Sequence, residues 1–132
     1  MTSTVLPLTL VPDAPPTPQP AVPQGPRVEW VTRTGPVLHP TALAGEGDVL
    51  ALNLARGCAH QCAFCSVRAY PGYPGDGVVQ LFAGTADRLA RELLRLPRLP
   101  RAVFISPSTD PFPPLRGVQV EAARVVGVLA RH

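Results

Sequence analysis

Asp48-Val-Leu-Ala-Leu-Asn-Leu54 runs directly into Ala55-Arg-Gly-Cys58-Ala-His-Gln-Cys62-Ala-Phe-Cys65. The first stretch is a nearly continuous apolar run of strand length, the pattern of a strand buried on both faces in a parallel sheet. The second is a loop that carries every cysteine in the chain. Further on, Tyr70-Pro-Gly-Tyr-Pro-Gly-Asp-Gly77 is dense in turn formers, and Val78–Phe82 is a short extended piece. Thr85 is expected to cap a helix, with Asp87 near its positive end. Ala86, Leu89, Ala90, Leu93 and Leu94 form its apolar stripe, and Pro97 ends it. A second apolar strand follows at Ala102–Ser106, then a rigid polar loop, Ser106-Pro-Ser-Thr-Asp-Pro-Phe-Pro-Pro114. Val118–Arg131 has the pattern of a second helix, with Val118, Ala122, Val125, Val126 and Leu129 on one side.

The order strand, loop, helix, strand, loop, helix predicts an α/β fold with parallel strands and crossover helices. In such units the loops after the strands carry the chemistry. The cysteine loop and the Ser/Thr/Asp loop should therefore open on the same face. Residues 47–132 hold about two βα units, whereas a complete (β/α) barrel takes at least about 200 residues. The expectation is the N-terminal portion of such a barrel, either a truncated piece or one completed by association.

Toward the N-terminus the character changes. Ten of the 18 prolines lie in residues 1–40. Proline fixes φ and lacks a donor, so residues 1–26 are expected to form a Pro-rich disordered tail. Residues 27–46 form a weakly ordered lead-in with a short strand at Val28–Thr32. All 12 basic residues are arginine and the net charge is +3. They are spread from Arg27 to Arg131 without a cluster, so charge alone marks no nucleic-acid surface, and Arg88, Arg91 and Arg95 are the solvated face of a helix. No stretch approaches the roughly 18 apolar residues of a membrane span, and no basic residue precedes the short apolar run at the N-terminus. Reduced, closely spaced thiols point to a cytoplasmic location.

The cysteine spacing is C-x3-C-x2-C. Three cysteines cannot all pair as disulfides, and one tight loop of three thiolates suits metal. Three thiolates can hold three irons of a four-iron cluster and leave the fourth open, whereas most clusters take four. The alternatives are a zinc site, with His60 as the nearest fourth ligand, and bystander thiols.

Asn53-Leu-Ala-Arg56-Gly57-Cys58-Ala-His60-Gln-Cys62-Ala-Phe64-Cys65 resembles the signature of the radical S-adenosylmethionine superfamily, in the form found in its spore photoproduct lyase-like subgroup. Thr109-Asp110-Pro111-Phe112 resembles that subgroup's Thr-Asp-Pro-aromatic stretch, and Ser66 stands where relatives usually have tyrosine. The resemblance implies that Cys58, Cys62 and Cys65 hold a 4Fe-4S cluster, that S-adenosylmethionine chelates the free iron, and that its reductive cleavage yields a 5′-deoxyadenosyl radical. It implies a reductant such as flavodoxin or ferredoxin, and offers DNA as a substrate class. Phe64 would shield the cluster or contact adenine. Ser106, Ser108, Thr109 and Asp110 would grip the aminoacyl end of S-adenosylmethionine. Asn53 and Arg56 would fix the cysteine loop through hydrogen bonds to backbone. The Pro-Gly neighbours of Tyr70 and Tyr73 mark a surface loop whose tyrosines pack down rather than line a substrate mouth. The alternative is a non-catalytic iron–sulfur or zinc-binding fragment.

Overall fold

In a computed structural model, which describes residues 25–41 and 48–132, the chain is α/β. Its strands are β1 (Arg27–Val31), β2 (His39–Pro40), β3 (Val49–Leu52), β4 (Ala55–Arg56), β5 (Val78–Phe82) and β6 (Ala102–Ile105). Its helices are α1 (Thr85–Leu93) and α2 (Arg116–Leu129), and a 3-10 turn spans Ser66–Ala69. The expected Pro-rich tail, apart from Gly25 and Pro26, lies outside the described residues, as do residues 42–46 of the lead-in.

The apolar run at residue 49 forms a central strand, as its composition requires. β3 pairs in parallel with β6, Val49 opposite Ala102 and Leu52 opposite Ile105. Backbone bonds from Arg101 N to Asp48 O (2.8 Å) and from Ser106 N to Leu52 O (2.7 Å) extend the ladder at both ends. The two strands expected to be parallel neighbours are therefore adjacent. β2 closes the other side of β3 in antiparallel fashion.

A second sheet, absent from the sequence expectation, has the order β1-β5-β4, with β1 parallel and β4 antiparallel to β5. It arises because the expected strand through Leu54 breaks at Asn53. Leu54 O accepts from Phe82 N (3.0 Å), and Leu54 N donates to Ser106 Oγ (3.5 Å). The backbone thus changes partners within two residues, and the chain crosses from one sheet to the other. Leu52 and Leu54 on either side of the break are both fully buried.

The helices form as their apolar spacing predicts, with differences at the ends. Thr85 lies within α1 rather than capping it; its hydroxyl donates to Phe82 O (3.1 Å), and Gly84, at φ 64°, occupies the cap position. The first turn is instead capped from α2: Ala86 N donates to Glu121 Oε1 at 2.7 Å. Glu121 is buried, and Arg124 Nη1 donates to its second oxygen at 3.0 Å. A carboxylate out of water is tolerated only with such partners, and here it also meets the positive end of a helix dipole. α1 buries Ala86, Leu89 and Leu93, while Leu94, beyond its last turn, is 76% exposed. α2 buries Val118, Ala122, Val125 and Val128; Val126, expected inward, is exposed because it lies about 100° around the helix from Val125. Among the described residues no helix is long and apolar enough to cross a membrane.

Candidate metal and ligand site

The cysteine loop leaves β4 through Gly57, at φ +74°, where an added Cβ would lie 2.2 Å from Val78 O. Only glycine accommodates both the left-handed backbone and that approach. Cys65 N donates to Cys62 O (3.1 Å), which forms the turn between the last two cysteines, and Gln61 sits at φ 47°. Arg68, in the 3-10 turn, then ties the loop shut. Its Nη1 donates to Cys62 O, its Nη2 to Gln61 O (3.1 Å) and its Nε to Asp76 Oδ1 (3.0 Å). Tyr73 OH donates to the same Asp76 oxygen. The Tyr73 hydroxyl, then Arg68, hold the Asp76 carboxyl below its ordinary value. Arg68 was not singled out from the sequence; its signal is an arginine three residues after the last cysteine, with Asp76 beyond a Pro/Gly turn.

All three thiols are free and line one small concavity with Gln61, Val67, Arg68 and Tyr73. Among the described residues no three His, Cys, Asp or Glu side chains form a group able to hold a metal ion. The thiols therefore share a wall without forming a preformed cage. Their donor set fits an iron–sulfur cluster: the wall offers three soft thiols and no carboxylate to favour a hard cation.

The Ser/Thr/Asp loop after β6 lies against this loop. His60 Nε2 is 2.7 Å from Asp110 Oδ2. Asp110 Oδ1 accepts from Phe112 N (2.8 Å), and this bond, then His60, keeps the Asp110 carboxyl below its ordinary value of 3.8. Ser108 N donates to Asn53 Oδ1 (3.2 Å), so Asn53 fixes this loop through backbone, whereas the expectation placed that role at the cysteine loop. Ser106 is buried at φ 56°, with its hydroxyl facing Leu54 N and its carbonyl accepting from Thr109 N (3.1 Å).

The predicted residues thus separate. Ser106 and Asp110 are engaged in bonds within the protein. Ser108 and Thr109 line a larger cavity of about 240 Å³, also bounded by Arg33, Arg56, Tyr70, Tyr73 and Phe82. Thr109 Oγ1 is buried without a hydrogen-bond partner. Arg56, expected to bond backbone, instead stacks over Phe82 at 5.3 Å. Phe64 is 91% exposed and lines neither cavity. Val67 and Tyr73 form a common wall between the cavity and the cysteine concavity. In comparison with known proteins, the chain matches no family model, no curated protein and no solved structure.

Proposed function

We propose that Cys58, Cys62 and Cys65 hold a 4Fe-4S cluster with one open iron, and that the chain is a radical S-adenosylmethionine protein of the spore photoproduct lyase-like kind. β3 and β6 are then the first two strands of a partial (β/α) barrel. The observation that carries the reading is the C-x3-C-x2-C loop, which follows β3 by way of the short β4 and is joined through His60 and Asp110 to the loop after β6, the parallel neighbour of β3. When bound, the cluster and S-adenosylmethionine supply reductive cleavage of the sulfonium to a 5′-deoxyadenosyl radical.

The chain's own residues bind and orient. Arg68 holds the Gln61 and Cys62 carbonyls, so the thiols of Cys58, Cys62 and Cys65 stay on one short turn. Asn53 fixes Ser108, and Thr109 brings a hydroxyl with no internal partner to the cavity beside the cysteines. Ser108 and Thr109 are thereby the members of their loop best placed to meet the aminoacyl end of S-adenosylmethionine, with Asp110 positioning the loop through His60. Phe64, exposed beside Cys65, becomes a cover for the cluster only once a ligand or partner packs on it. The reading requires a reducing compartment, the cytoplasm, and an electron donor of the flavodoxin or ferredoxin type.

A zinc site is the second reading, and one observation favours it. His60 presents one ring nitrogen to a carboxylate, the arrangement that metal-bound histidines adopt, which leaves Nδ1 as the nitrogen open to a metal. Anaerobic loading with iron and sulfide separates the two. We expect about four irons and four sulfides per chain, cluster absorbance, and loss of both on Cys58→Ser, Cys62→Ser or Cys65→Ser. Under strong reductant the loaded protein should release 5′-deoxyadenosine from S-adenosylmethionine. One equivalent of zinc that blocks iron uptake and needs His60, with no cluster absorbance, would overturn the cluster in favour of zinc.

A further inference from the structure

The cavity beside the cysteines has an unusual charge balance. Two guanidinium groups, Arg33 and Arg56, lie over the Phe82 ring at 3.9 and 5.3 Å, and no acidic side chain lines the cavity. Arg33 Nη2 is committed to Asn53 O, but Arg33 Nε is buried with no hydrogen-bond partner. Thr109 Oγ1, in the same wall, is likewise buried and unpartnered. Burial, then the neighbouring Arg88, hold the Arg33 guanidinium below its ordinary value. Glu92 offsets part of this, but its two oxygens accept Val37 N (2.6 Å) and Leu38 N (3.0 Å). Arg88 is itself spent on the Arg33 and Gly35 carbonyls. A buried donor left unmade is costly, and a guanidinium fork is shaped for a carboxylate or phosphate.

We infer that this cavity is a small oxyanion site, in which Arg33, Arg56 and Thr109 receive a carboxylate or phosphate group and Phe82, Tyr70 and Tyr73 flank the body of the ligand. At about 240 Å³ it lies below the usual range of drug-sized pockets, so the ligand is a small one. The two cations are already stacked on an aromatic face, which reduces the ordering that binding requires. The site shares Thr109 with the aminoacyl contact proposed above, so the two ligands would compete there, but the anion site itself needs no metal. Through the shared Val67 and Tyr73 wall it would hold its ligand beside the cysteine loop.

The test is calorimetric titration of the full-length protein, as purified, with inorganic phosphate and with acetate, against sodium chloride at matched ionic strength. Saturable binding of either anion beyond the chloride control is expected. Tighter phosphate binding marks a phosphate-bearing ligand, and tighter acetate binding a carboxylate. Arg56→Gln, at an exposed side chain whose loss leaves the fold intact, should weaken binding about tenfold, the loss of one charge-assisted hydrogen bond. Thr109→Val, which keeps the shape, should weaken it about threefold. Arg91→Gln, on the exposed face of α1, should leave affinity within about twofold of the parent. Binding no better than chloride, or an Arg91→Gln loss equal to that of Arg56→Gln, overturns the site. Neither result touches the cluster proposal, because iron is not involved in the measurement.

Discussion

The two-helix layer and the cysteine loop are held by opposite means. α1 and α2 meet through buried Leu89, Leu93, Val118, Ala122 and Val125, with one buried carboxylate, Glu121, capping across the contact. The cysteine loop contributes no residue to the hydrophobic core; its shape rests on Arg68, Asp76 and the His60–Asp110 contact, all at least partly open to water. Apolar burial is non-directional and stable, whereas exposed polar ties are weak but fix position. Stability therefore belongs to the helices, and adaptability to the loop that would have to close around a metal.

That division can be broken most directly in the helix layer. Leu89→Ala should cost about 2–5 kcal/mol in denaturant unfolding, the range for a fully buried leucine. A loss near zero would mean that the helices are not the stable half. Glu121→Ala should cost about 1–3 kcal/mol, because Ala86 N and Arg124 lose their buried acceptor. It should also speed amide exchange at the first turn of α1. Arg68→Ala should leave the unfolding midpoint in place, yet raise amide exchange across Cys58–Cys65 and weaken iron loading. A large fall in midpoint would show that the loop also carries the fold.

The smallest effect expected is on acid. Asp110 and Asp76 have lowered carboxyl values, so the order they provide is complete above their unfolded value near 3.8 and fades as pH falls through their lower folded values. Between pH 7 and pH 5 these two carboxylates should leave the loop unchanged. Below about pH 4 its exchange protection should fall before the far-UV signal of the helices does. Simultaneous loss of both signals would erase the distinction between the two regions.

Much of this architecture was legible in the sequence because it obeys period rules. The 3.6 spacing of Ala86, Leu89 and Leu93 and the two apolar runs at Val49 and Ala102 gave helices, strands and the parallel pairing. The break at Asn53 was not legible, because a single Asn between two leucines is too weak a turn signal to interrupt an apolar run; it depends on partners as distant as Phe82 and Ser106. The Glu121 cap was hidden for the same reason, thirty-five residues from the amide it meets. At the site, the cysteines announced themselves by spacing. Arg33 and Arg68 did not, since single arginines outside any motif acquire meaning only from what the fold brings to them.

Gly57 has a consequence for how such a sequence ages. Its Cβ position is filled by a carbonyl of β5, so the constraint comes from the close approach of the chain leaving β4 to its neighbour in the same sheet and is independent of any metal. A descendant that lost all three thiols would still have to keep this glycine to fold. The glycine at the head of the cysteine loop is therefore a mark of the fold, and only the cysteines can mark a chemistry.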